Sequence, residues 1–186
     1  MVRVQDPVDP RHGTAAVVVA LEHAGRSPLV LFSQVQGSPY PLVSNVCGSL
    51  GRLALALGCS PREVHETFTT RCRTPHAPQL VSTAPCRDHV MRGDAVDLRR
   101  LPRLVYHQDD ATQPYITAAI AIAKDPETGA LNLSYHRLMH LDDKRLAIYI
   151  EPGRHLSQIF AAYERRHADM PLAIAIGVHP LVSLGA

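Results

Sequence analysis

The sequence predicts a mixed fold of the α/β (α+β) class. An N-terminal α/β domain covers residues 1–100, and residues 101–186 form the first part of a small β-barrel. Three observations carry that reading. Short apolar strands and helix-period stretches alternate through the first hundred residues. Between 115 and 150 three strand-like segments follow one another across tight turns, the antiparallel meander that opens small barrels. The 186 residues are 46% apolar and 19% charged, a globular composition with ample material for a core.

In chain order, PLVLFSQ (28–34) is an apolar run between turn residues and reads as a buried strand. After a glycine–proline loop, Leu50, Leu53, Ala54 and Leu57 recur at helical spacing until Gly58 stops them. Ser60-Pro61-Arg62-Glu63 opens the next helix, to about residue 70, as a capping box with proline at the first helical position. The proline-broken stretch 74–85 reads as extended chain or loop. YITAAIAIA (115–123) is a strand, DPETG a turn, LNLSYHRLMHL (131–141) the returning strand and RLAIYI (145–150) a third. Pro152-Gly153 breaks the run. A helix over 155–167 presents Leu156, Ile159, Phe160 and Tyr163 on one face, PLAIAIGVHP (171–180) is a last strand, and 181–186 begins a helix.

Charge and cysteine usage exclude several functions. Lys plus Arg number 19 against 17 Asp plus Glu, tryptophan is absent, and no long basic block occurs, which argues against a nucleic-acid partner. The apolar run 14–21 is too short to span a bilayer, and the polar, proline-broken start is unlike a secretory signal. The four cysteines form no CxxC pair; free thiols in a cytoplasmic protein are expected. No P-loop, GxGxxG, GxSxG or HExxH pattern is present.

Eleven histidines are many, yet His12, His23, His65, His76, His89 and His167 fall in loops or on polar faces and read as solvated side chains. His136 and His140 share a strand face about 13 Å apart, too far for one metal on a straight strand. A polar cluster stands out in the apolar meander: Asn132, Ser134, His136 and Arg137 on one strand, then Glu151, Arg154 and His155 beyond the next. Alternation puts Asn132, Ser134 and His136 on one face, which is either the wet face of the sheet or a site.

The segments 28–58, 115–160 and 171–180 resemble, in order and spacing, the N-terminal part of the UbiD family of decarboxylases that use prenylated FMN. The DPETG turn followed by N-x-S-x-x-R and then PGRH carries the resemblance. The resemblance implies a split β-barrel of flavin-reductase type that holds prenylated FMN, or FMN, with Mn2+ and K+ bridging its phosphate to the protein. It implies Asn132 and His155 as metal ligands. Ser134, Tyr135, His136, Arg137, Tyr149, Ile150, Glu151, Arg154 and His155 become cofactor-binding, with Arg154 on the phosphate side. Arg137 becomes the catalytic arginine, a fixed positive charge for a substrate carboxylate. The implied activity is decarboxylation of an aromatic or α,β-unsaturated carboxylic acid, carried by an N-terminal portion or small subunit. The alternative is a non-catalytic FMN-phosphate-binding module or regulatory partner of a longer homologue. The family's acidic metal ligand and proton-donating acids fall downstream of the strand matching 171–180, so a homo-oligomer or a second UbiD-like polypeptide is expected. Leu138-Met139 stand where the family often has glutamine after the arginine.

Overall fold

A computed structural model describes residues 1–110 and 113–186. The N-terminal part is built on a three-stranded mixed sheet. β1 (Val2–Val4) runs parallel to β2 (Val30–Phe32), and β3 (Leu42–Ser44) pairs antiparallel on its other side. Val30 and Phe32 are buried and gather Val8 and Val35 into one core cluster. The helix α1 (Gly13–His23) lays Val17, Val18 and Leu21 on that cluster. Sequence pattern assigned no element to β1 or α1. The valine run of α1 disfavours a helix by local propensity, and packing on Phe32 overrides it.

A small helical unit follows. α2 (Leu50–Leu57) begins where the Ser49 hydroxyl accepts from the Arg52 amide, and ends at Gly58, whose φ of 67° suits glycine. The Ser60–Glu63 capping box forms, the Ser60 amide donating to Glu63 Oε2 at 2.9 Å, and α3 (Val64–Arg73) continues from it. Ala54, Leu57 and Val64 are the buried seam; Leu50 lies mostly exposed, so the apolar stripe read from sequence is narrower than its spacing implied.

The remainder is a four-stranded antiparallel sheet in the order β6-β5-β4-β7. β4 (Tyr115–Lys124) and β5 (Leu131–His140) form the meander's long hairpin, and β6 (Leu146–Ile148) pairs with the last residues of β5. β7 (Leu172–Ala175), shorter than its apolar run, returns along β4. The helix α4 (His155–Arg165) packs Leu156 and Ile159 on Ala121 and Ala123. Its buried seam follows Leu156, Ile159 and Ala162, and Phe160 turns to the edge instead of joining it. α5 (Pro180–Gly185) starts with proline at its first turn and packs beside α2. The mixed fold class and the curled antiparallel half-barrel agree with the sequence reading.

Candidate functional site

The hairpin of β4 and β5 carries the site. A β-bulge lies between Ile116 and Ala119: both Ile116, opposite Leu138, and Ala119, opposite His136, stay buried, while Thr117 and Ala118 stand exposed between them. The extra residue thus keeps one face of β4 continuously apolar and turns Thr117 outward, opposite Arg137. On that apolar face β4 contributes Ala119, Ala121 and Ala123, paired in register with His136, Ser134 and Asn132 of β5.

β6 pairs with β5 only at Leu138, Met139 and His140. The part of β5 before Leu138 therefore keeps an open edge, and one cavity of about 610 Å3 reaches side chains of both its faces. Asn132, Ser134 and His136 border it from one face, Tyr135 and Arg137 from the other. Its opposite wall is the segment after β6, with Tyr149, Glu151, Arg154 and His155. The volume falls in the range of ligand-binding clefts. Ile150 is the exception among the residues singled out from sequence. It packs with Ile148 against Leu156 and Ala121, away from the cavity wall. Thr117 is a lining residue that sequence reasoning missed, since only the bulge turns it there; its hydroxyl pairs with that of Tyr106 at 3.0 Å.

The third strand ends earlier than its apolar run, at Ile148 instead of 150. The Tyr149 carbonyl faces the His136 ring at 3.2 Å and takes no ladder partner, and Pro152-Gly153 completes the departure, Gly153 at φ 82°. From His136 the bonds continue inward. Its Nε2 lies 3.0 Å from the Ser134 hydroxyl, which accepts from Asn132 Nδ2 at 3.1 Å. Arg154 occupies the N-cap position of α4 without a side-chain cap bond and pairs loosely with Glu151 at 3.8 Å, both well exposed.

The donor set suits particular ligands. Arg154 at the N-cap of α4 presents a fixed positive charge beside the first-turn amide hydrogens of the helix, which together favour a phosphate. Asn132 oxygen and the His155 imidazole, which also share the neighbouring groove between the hairpin turn and α4, are ligands that a manganese-like divalent cation accepts. Among the described residues no three His, Cys, Asp or Glu side chains gather to hold a metal alone. Two such donors beside a cationic helix start would suit a cation that completes its coordination with an anionic ligand. Tyr135 and Tyr149, 45% and 72% exposed, offer flat apolar surface to a ring system. The buried His140, on the same face of β5 beyond Leu138, lies outside this cavity.

No helix of the described residues is long and apolar enough to cross a membrane, and all four cysteines are unpaired. Two family models match the chain: the 3-octaprenyl-4-hydroxybenzoate carboxy-lyase N-terminal domain over residues 1–72, and the Rift-related domain of the same carboxy-lyase over 79–186. An anhydromevalonate phosphate decarboxylase of Methanothermobacter thermautotrophicus is 37% identical over 84% of this chain and 36% of its own length. A gallate decarboxylase of Lactiplantibacillus plantarum is 27% identical over 86% of this chain and 34% of its own. Among solved structures, an evolved dimeric form of the UbiD-class enzyme HmfF from Pelotomaculum thermopropionicum, in complex with prFMN, superposes with a TM-score of 0.86. It is 36% identical, over 96% of this chain and 41% of that one. Vanillic acid decarboxylase of Sedimentibacter hydroxybenzoicus in closed form gives 0.88 at 29% identity, over 98% and 40%. The chain spans roughly two fifths of the length of these relatives.

Proposed function

The chain belongs to the UbiD family of carboxy-lyases, and from that membership we propose that it forms the flavin-phosphate and substrate-carboxylate part of a non-oxidative decarboxylase. The substrate class is an aromatic or α,β-unsaturated carboxylic acid. The observation that carries the proposal is that Asn132, Arg137, Arg154 and His155 line one cavity although they come from two separate segments of chain. When bound, prenylated FMN supplies the electron sink that the departure of carbon dioxide requires.

The chain's own residues bind and orient. Arg154 and the first turn of α4 hold the flavin phosphate, and Asn132 and His155 hold Mn2+ beside it, with K+ as the accompanying monovalent cation. Arg137 fixes the substrate carboxylate by a charge-assisted pair, which aligns the bond to be broken. The exposed faces of Tyr135 and Tyr149 pack the ring system. We propose a division near residue 100 between an N-terminal domain and the flavin-binding domain. A cytoplasmic protein that self-associates, or pairs with a second UbiD-like polypeptide, fits the two edges of the sheet at β6 and β7, which a partner would cover.

The test is an absorbance spectrum and metal analysis of protein from a host that makes prenylated FMN, followed by titration with FMN and Mn2+. Co-purified flavin together with manganese is expected. Colourless protein that also fails to take up added FMN overturns the proposal.

A further inference from the structure

The hydrogen bonds on the inner face of β5 have only one consistent direction. The chain of contacts ends on the Tyr149 carbonyl, which can only accept. A neutral His136 ring must therefore carry its proton on Nδ1, leaving Nε2 as an acceptor. The Ser134 hydroxyl, 3.0 Å away, then donates to Nε2. With its proton committed, that oxygen can only accept from the Asn132 amide at 3.1 Å, so Nδ2 faces Ser134. Oδ1 of Asn132 is left over, free of any partner among the described residues, and Asn132 lines the cavity. Two amide orientations are open to an isolated asparagine, and this relay permits one.

We propose that His136 is a positioning residue: acting through Ser134, and anchored on the Tyr149 carbonyl, it locks the Asn132 amide with Oδ1 presented to the cation. The inference rests on the proposed Mn2+ site and assigns its outer partners. It differs from a direct cofactor contact by Ser134 or His136, because the Ser134 hydroxyl proton and both His136 ring nitrogens are consumed within the relay. It also accounts for the early end of β6, since the carbonyl that closes the relay is the one withdrawn from the ladder.

Two measurements test it. Nitrogen-15 NMR of the imidazoles, above the ordinary histidine titration range, reads the tautomer without any ligand; Nδ1–H is expected at His136, and Nε2–H overturns the proposal. Titrations then compare Ser134→Ala, His136→Phe and Ser134→Thr with the parent protein. In Ser134→Ala and His136→Phe, Mn2+ affinity measured in the presence of FMN falls about 10–100-fold, the usual effect of removing an outer-sphere partner. FMN affinity in metal-free buffer stays within about twofold, and the hydroxyl of Ser134→Thr restores Mn2+ binding. Unchanged Mn2+ affinity in both disrupting variants overturns the proposal. Equal loss of Mn2+ and metal-free FMN binding overturns it as well, because it marks direct flavin contact or a collapsed pocket. A parent protein that binds neither FMN nor Mn2+ overturns the functional reading instead, and the tautomer then decides the relay alone.

Discussion

Beneath α4 the two strands of the long hairpin carry opposite chemistry. β4 presents Ala119, Ala121 and Ala123, all buried, and directly opposite β5 presents His136, Ser134 and Asn132. Ala121 and Ala123 admit Leu156 and Ile159 of α4, Ala119 packs with Ile116 and Leu138, and all three form part of the core. Their polar partners across the ladder, half-buried and bonded to one another, border the cavity. What separates the roles is the neighbour on the far side. β4 has strands on both sides, whereas β5 before Leu138 has an open edge. Polar side chains are tolerated there because each finds a partner and solvent reaches the rest. Buried apolar side chains thus occupy one strand and polar, cavity-lining ones the next.

The largest effect that would break this division is Leu156→Ala. Leu156 is fully buried, and its truncation costs about 2–5 kcal/mol in denaturant unfolding. A cost near zero would mean that β4 and α4 are not the core proposed here. Next, Asn132→Ala and Arg154→Ala each reduce FMN binding by about 1.5–3 kcal/mol, with Mn2+ present, and leave the unfolding midpoint close to the parent's. Unchanged FMN affinity in both variants removes the phosphate-side assignment.

His140 tests the comparison within β5 itself, where the polar face continues into the core. Its ring is 2% exposed, with neither nitrogen bonded among the described residues. Burial pushes its pKa below the ordinary value, and the Arg103 charge pushes the same way. The unfolded chain takes up a proton near pH 6.5 while the folded ring does not. Stability is therefore full above that pH and falls with acidification until the folded ring itself protonates. His140→Leu removes this loss. We expect the variant to match or exceed the parent at neutral pH and its advantage to widen by up to about 1 kcal/mol near pH 5.5, read by urea unfolding. An advantage that does not change with pH would contradict the buried neutral ring. The smallest effect belongs to the exposed pair of Arg165 with Glu127 at 3.1 Å, which ties α4 to the hairpin turn. Glu127→Gln should cost no more than about 0.5 kcal/mol by thermal unfolding, and a larger loss would give the turn a share in the core's stability.

The features legible in sequence are those whose bonds close within a few residues. The DPETG turn is one: Asp125 Oδ1 accepts from the Glu127 amide at 2.7 Å, and Gly129 takes a φ of 77°. The Ser60–Glu63 box is another, and the alternation of β5 a third. Misjudged elements depended on distant partners. The valines of α1 are helical because the Val30–Phe32 core lies beneath them, and Tyr149 and Ile150 leave the third strand where the Tyr149 carbonyl meets a histidine ring of the neighbouring strand at 3.2 Å.

The candidate site divides in the same way. Sequence by itself determined which residues could serve: a period of two selects Asn132, Ser134 and His136 as one face, and the PGRH segment supplies Arg154 and His155 at the start of a helix. Only the tertiary structure decided that these two segments border one cavity, that Ile150 turns away from it, and that the bulge turns Thr117 toward it. The physical reason is range. Periodicity and capping are fixed by neighbours along the chain, whereas an open strand edge exists only once it is settled where the next strand stops pairing.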